Sequence, residues 1–78
     1  MARRTNALAL AIGERLTAAR QSRGLSLREL ARRAMVDVQT VVNLSEGRTP
    51  NPGIGTIADL ARALEVRPEW LGFGVGDP

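Results

Sequence analysis

The chain has 78 residues, of which 44% are hydrophobic, and this length predicts one domain with a modest core. It contains no cysteine, which excludes a disulfide, and no histidine, which removes the most common metal ligand and general base. No apolar run approaches the roughly 18 residues of a membrane span, and the first residues lack the pattern of a signal peptide. We therefore expect a cytoplasmic protein that is not an enzyme and that binds no metal or cofactor.

Positive charge is concentrated in the first part of the chain, and every basic residue is an arginine. Residues 1–33 contain eight arginines and two acidic residues, a balance of +6, whereas residues 34–78 contain three arginines and six acidic residues, a balance of −3. Arginine contacts phosphate in a bidentate geometry. A solvated helix surface is the alternative explanation, but the asymmetry favours an anionic partner.

The polar residues 1–6 predict a mobile N-terminal arm. Asn6 is a candidate cap for a first helix, in which apolar residues recur at helical spacing from Leu8 to Ala19. Gly13 weakens this helix by about 1 kcal/mol relative to alanine, which predicts fraying of the first turns. Gly24 follows the last apolar position and ends the helix.

The segment from Ser26 to Gly47 predicts two short helices separated by three residues. Ser26 and Glu29 have the spacing of a capping box, which satisfies two backbone donors at the start of the first helix. Asp37 caps the second helix with a carboxylate at its positive dipole end, and Gly47 ends it in a left-handed conformation. The inward faces carry Leu27, Leu30, Ala31 and Ala34, then Val41 and Leu44. Helices this short must dock on other elements, and such a pair commonly carries its second helix into a DNA groove.

The remaining residues predict a supporting platform. Two prolines in residues 48–53 oppose helix and indicate a loop. A fourth helix is predicted by the apolar residues Ile54, Ile57, Leu60, Ala61 and Leu64. Pro68 suits the first turn of a short fifth helix, and the glycine-rich residues 72–78 predict a flexible tail. The chain lacks an alternating pattern long enough for a strand, so we expect an all-α domain over residues 7–71.

Five segments carry a family pattern: IGERL in the first helix, RGLSLRELA across the turn into the second, TVVNL in the third, ARALEV in the fourth, and WL in the fifth. Together they resemble the Cro/phage-repressor (XRE-type) helix-turn-helix proteins over roughly residues 12–71. The resemblance implies a compact five-helix repressor-like domain that binds operator DNA, usually as a two-fold homodimer.

The resemblance places the base-contacting residues on the third helix. They are Val38, Gln39, Val42 and Asn43. The helical wheel independently puts Gln39, Val42, Asn43 and Glu46 opposite the face of Val41 and Leu44. Glutamine and asparagine can pair bidentately with adenine, and valine can pack on a thymine methyl group.

Contacts to phosphate and to a second copy are expected outside the third helix. The expected phosphate contacts are Arg28, Arg32 and Arg48, with Arg3 and Arg4 of the arm as further candidates. An idle tail is the alternative for the two arm residues. The expected dimer interface is formed by Trp70, Leu71 and Phe73, because large apolar groups at a chain end usually mark contacts. Closure of the core against the first helix is the alternative for Trp70.

Some residues depart from the family pattern. The turn position that is commonly glycine is Met35, which costs on the order of 1 kcal/mol if its backbone is left-handed. Leu27 stands where a glutamine often contacts phosphate, and Glu46 would repel phosphate. An arginine at the position of Arg20 often pairs with a glutamate where this chain has Ser45, so Arg20 lacks that partner.

We therefore predict sequence-specific binding of double-stranded DNA by a small transcriptional regulator, a repressor, with helix 38–45 in the major groove. The alternative is a protein-binding module, antitoxin-like or adaptor, that uses Glu46, Val38 and Val42 to contact a protein. The alternating glycines near the chain end follow no strand and open no helix, so a phosphate loop and a small-molecule ligand are not expected.

Overall fold

The computed structural model describes residues 6–78, which form five α-helices and no β-strand. In chain order the helices are α1 (Ala7–Ser22), α2 (Leu27–Ala34), α3 (Val38–Ser45), α4 (Ile54–Leu64) and α5 (Pro68–Phe73). This arrangement confirms the all-α, five-helix fold. Within the described residues, none of the helices is long and apolar enough to cross a membrane. Arg3 and Arg4 lie outside the described residues.

Three helices begin at the caps that the sequence predicts. Asn6 accepts a hydrogen bond of 3.0 Å from the backbone N–H of Ala9 at the start of α1. The capping box of α2 is complete, because the backbone N–H of Ser26 donates to Glu29 at 2.8 Å and that of Glu29 donates to Ser26 at 3.0 Å. The carboxylate of Asp37 accepts a hydrogen bond of 3.4 Å from the backbone N–H of Gln39 and so caps the start of α3. Local hydrogen bonds therefore set these helix starts.

The core is built from aliphatic side chains of all five helices. The largest side chains that are fully buried are Leu16, Leu30, Leu44, Leu60, Leu64, Leu71 and Val41. Each contributes roughly 1.5–3 kcal/mol through the removal of apolar surface from water. This core holds the short helices α2 and α3, which could not be stable alone.

Two of the turns use a left-handed residue that is not glycine. Met35, between α2 and α3, has φ 59° and ψ 41° and is 86% exposed, so the conformation inferred from the family comparison is present. Glu65 ends α4 with nearly the same angles, which the sequence did not predict. Each such residue costs on the order of 1 kcal/mol. Gly47 ends α3 with φ 71°, as predicted.

Gly13 is buried where α1 crosses the end of α3. A Cβ atom at this position would lie 2.7 Å from the carbonyl oxygens of both Leu44 and Ser45, too close for any side chain. The two backbones therefore touch directly. The helix is continuous from Ala7 to Ser22.

The last two helices differ from the sequence prediction at their ends. Ile54 was grouped with the apolar face of α4, but it is 88% exposed because it lies in the first turn, beyond the core. Helix α5 continues to Phe73, two residues into the predicted tail, and Gly72 is buried. The Arg15 guanidinium Nε donates to the backbone oxygen of Leu71 at 3.0 Å, which ties α1 to α5.

Candidate nucleic-acid interface

Helix α3 packs one face against the core and exposes the other face to solvent. Val41 and Leu44 are buried in the core on the inner face. The four predicted base-contacting residues are Val38, Gln39, Val42 and Asn43: Gln39 is exposed, the other three are half-buried, and Val38 also packs against the core. The helical wheel thus identified the outer face correctly, although its two valines are partly covered.

Two polar side chains on this outer face are joined to each other. The Nε2 of Gln39 donates a hydrogen bond of 3.0 Å to the Oδ1 of Asn43, one helical turn further on. Hydrogen bonds between amides at this spacing stabilise a helix surface and restrict both side chains. The sequence placed the two residues on one face but did not reveal this bond.

Exposed arginines lie along helix α2. Arg28 and Arg32 are one turn apart, and Arg33, which the sequence analysis did not select, is also exposed. None of the three forms an ion pair with another of the described residues, whereas Arg23 pairs with Glu65 at 3.4 Å. These guanidinium groups therefore present positive charge to solvent.

The ion pair at the end of α3 changes the expected role of two residues. The exposed side chains of Arg48 and Glu46 form a salt bridge with each other. The carboxylate of Glu46 is thus neutralised locally, and the repulsion of phosphate expected from it is reduced. Arg48 must exchange this partner for a phosphate group if it contacts DNA.

The helix-turn-helix family model matches residues 16–71. The chain belongs to this helix-turn-helix family. Among solved structures, it is similar to the restriction-modification controller protein C.AhdI from Aeromonas hydrophila, with 32% identity and a TM-score of 0.76 over 81% of this chain and 94% of that chain. No curated protein matches it. The family and the structural match confirm the predicted resemblance and support a DNA-binding transcriptional regulator.

One buried polar atom of α1 and one of α3 have no hydrogen-bond partner within the described residues. Arg20 donates through its Nη1 to the backbone oxygen of Leu25 at 2.7 Å. Its Nε, and the Oγ of Ser45, are buried without a hydrogen-bond partner among residues 6–78. Ser45 stands where the family pattern often has a glutamate that pairs with the arginine at the position of Arg20, and neither of these two atoms has a partner within the described residues.

The residues expected at a dimer interface lie in different environments. Leu71 is 0% exposed and belongs to the core of its own chain, so it is unavailable to a partner, and this corrects the prediction for that residue. Trp70 is half-buried and packs against the core, as the alternative reading expected, while Phe73 is 75% exposed.

An apolar groove that the sequence did not predict lies beside Phe73. It has a volume of about 430 Å³ and is lined by residues of α1, α4, α5 and the loop at 50–52. Leu8 and Ile54 line it and are 63% and 88% exposed. The sequence contained one signal for this groove. Leu8 and Ile54 are the first apolar positions on the faces of α1 and α4, and the core does not extend to these helix ends.

Proposed function

We propose that this chain binds double-stranded operator DNA sequence-specifically as a homodimer, with α3 in the major groove, and represses transcription. The observation that carries the proposal is the exposure of Gln39 on α3, opposite the buried Val41, on a domain whose preceding helix exposes arginines that form no ion pair within residues 6–78. A helix anchored in this way can enter the groove without disturbing the core. Repression then requires only that the bound protein occupy the DNA.

The base contacts that we propose come from the outer face of α3. Val38, Gln39, Val42 and Asn43 form the surface that faces the base edges, and on this surface Gln39 is suited to adenine and Val42 to a thymine methyl group. The partial burial of Val42 leaves part of its side chain available for such an apolar contact.

Phosphate contacts fix the position of α3 without carrying sequence information. We assign them to Arg28 and Arg32 on α2 and to Arg48, which exchanges its salt bridge with Glu46 for the DNA backbone. Arg3 and Arg4 are proposed as additional contacts from the arm.

A second copy is the occupant that we propose for the groove beside Phe73. Leu8, Ile54 and Phe73 are exposed and apolar, and small monomers rarely leave such groups together in water. A two-fold interface brings the same patch of both copies together. Half-sites about one turn of DNA, roughly 34 Å, apart are the spacing that a two-fold helix-turn-helix dimer binds.

The test is titration of each variant against a selected duplex and a scrambled duplex at two salt concentrations. We expect Gln39→Ala to cost about 1–3 kcal/mol on the selected duplex and little on the scrambled one. Arg32→Ala should weaken both alike and flatten the salt slope by about one unit. Arg67→Ala is the matched control, because Arg67 is an exposed arginine outside α2 and α3.

Two results contradict the proposal. Equal losses from Gln39→Ala on both duplexes would show that α3 does not read bases. Equal effects of Arg32→Ala and Arg67→Ala would show that α2 does not contact phosphate.

A protein-binding module is the second candidate, and the half-buried Val38 and Val42 on the outer face of α3 favour it. It predicts no salt-dependent binding to either duplex, whereas DNA binding weakens with a slope near −0.9 for each phosphate contacted. The same titration therefore separates the two functions.

A further inference from the structure

Gln39 donates two local hydrogen bonds, one from its backbone and one from its side chain. Its backbone N–H donates to the carboxylate of Asp37 at 3.4 Å, which fixes the first turn of α3. Its side-chain Nε2 donates to the Oδ1 of Asn43 at 3.0 Å. Gln39 is exposed and Asn43 is half-buried.

The hydrogen bond to Asn43 determines what the amide of Gln39 can still offer. A glutamine amide has two N–H donors and one carbonyl acceptor. One donor is engaged by Asn43, so one donor and one acceptor remain side by side. In the major groove, adenine presents an acceptor and a donor, whereas guanine presents two acceptors. The remaining groups therefore match adenine and leave one acceptor of guanine unpaired.

We infer that Asn43 is a positioning residue, which selects an A·T pair by orienting the amide of Gln39 and does not read a base itself. The inference rests on the proposed binding of DNA by α3 and names the base pair that this helix selects. Removal of Asn43 frees the amide to rotate, and a freed amide can turn both N–H groups toward guanine. The effect of removing Asn43 then appears as a weaker preference for A·T at the base pair contacted by Gln39.

The experiment compares wild type, Gln39→Ala, Asn43→Ala, the double variant and Asn43→Asp. Each is titrated against duplexes that carry A·T or G·C at the pair where Gln39→Ala abolishes base preference. We expect wild type to prefer A·T by at least tenfold and Asn43→Ala to reduce that preference at least fivefold at the same pair. The double variant should match Gln39→Ala within twofold, because Asn43 acts through Gln39.

Asn43→Asp is the matched control. Its carboxylate accepts the same hydrogen bond, so we expect the preference for A·T to be retained. Its negative charge should lower affinity for both duplexes alike.

Several results overturn the inference. The first is a double variant in which the two single losses of A·T preference multiply. The second is a loss of preference at a different base pair in Asn43→Ala, and the third is a loss of the A·T preference in Asn43→Asp. A wild-type preference for G·C would also overturn it, because guanine requires the opposite orientation of the amide.

A measurement without DNA separates this inference from the proposed function. The side-chain amide resonances of Gln39 should shift in Asn43→Ala and remain near their wild-type positions in Asn43→Asp. Unchanged resonances in Asn43→Ala would refute the pairing while leaving DNA binding by α3 intact. If Asn43→Ala shows these shifts but the wild type selects no duplex, the proposed function is refuted instead, and with it the role of the pair in reading bases.

Discussion

Helix α1 takes part in two contacts of opposite character. At Gly13 it crosses the end of α3 so closely that a Cβ atom would lie 2.7 Å from two carbonyl oxygens. Near Leu8 the same helix lines an apolar groove whose exposed side chains include Ile54 and Phe73. The first contact is closed within one chain, and the second is open and is completed, in our proposal, by a second copy.

These two contacts show that tight packing and the satisfaction of polar groups are separate properties. Ser45 Oγ beside the closed contact, and Arg20 Nε further along α1, are unpaired among the described residues, whereas the open groove is apolar but unfilled. An added methyl group should therefore disturb the first contact, and an added charge should disturb the second.

The largest effect is expected from Gly13→Ala, which should break the closed contact. The added methyl group meets backbone oxygens that cannot move independently of α3. We expect a loss of about 2 kcal/mol of unfolding free energy, within the usual range for overpacking. Urea denaturation monitored by circular dichroism measures it.

The matched control is Gly55→Ala in α4, where a Cβ atom would meet no other described atom within 4 Å. Alanine there should stabilise the protein by about 0.5–1 kcal/mol through helix propensity. If Gly13→Ala were equally stabilising, the close crossing of α1 and α3 would be refuted.

The second effect concerns the open groove. Ile54→Asp together with Phe73→Asp should weaken self-association at least tenfold, or about 1.4 kcal/mol, because both carboxylates would be buried at the interface. The stability of the single chain should change little, since both side chains are exposed. Sedimentation over a range of protein concentrations measures the association.

Val75→Asp serves as the control for the groove, because Val75 is 58% exposed but does not line it. This variant should associate like wild type. A wild type that remains monomeric at high micromolar concentration would contradict the proposed interface.

A third, smaller effect should repair the polar defect of the closed contact. Ser45→Glu supplies a carboxylate for Arg20 and should raise stability by about 1 kcal/mol, the value expected of a partly shielded pair. Ser45→Ala, which removes the unpaired hydroxyl without adding charge, is the comparison. A denaturation midpoint no higher for Ser45→Glu than for Ser45→Ala would show that the two side chains do not meet.

The smallest effect belongs to a local contact outside both regions. Hydrogen bonds from the backbone and side chain of Ser26 lower the pKa of Glu29, with smaller contributions from the charges of Arg32 and Arg33. The folded state therefore binds fewer protons than the unfolded state, so this stabilisation is present above the unfolded pKa of about 4.3 and is lost as the pH falls through the lower folded value.

Glu29→Gln tests this acid dependence. Glutamine can accept the same backbone hydrogen bond but does not titrate. Wild type should thus lose stability relative to Glu29→Gln when thermal denaturation is compared at about pH 5 and about pH 3. Parallel losses in the two proteins would show that the Glu29 carboxylate does not contribute.

The α2–turn–α3 unit could be predicted because its signals are local. Ser26, Glu29 and Asp37 lie within three residues of the backbone groups that they cap, and the apolar spacing identified Val41 as an inner residue. The outer face of α3, including Gln39, followed from the same spacing. Its roles in DNA contact remain predictions.

The environment of the apolar residues at the chain end was harder to predict, because burial there depends on distant segments. Leu71 and Phe73 are both large and apolar, yet one is fully buried and the other is 75% exposed. Their spacing in a one-turn helix did not distinguish them. The bond from Arg15 to the Leu71 carbonyl, across 56 residues of sequence, belongs to the packing that orients α5.

The sequence by itself determined where α1, α2 and α3 begin, since caps and helical periodicity act between residues a few positions apart. The tertiary structure decided which positions tolerate a side chain and which apolar groups remain outside the core. Gly13 is the clearest case, because its sequence context indicates only a weakened helix. Its actual role depends on two carbonyl oxygens of α3, about thirty residues away, which approach only when the helices pack against each other.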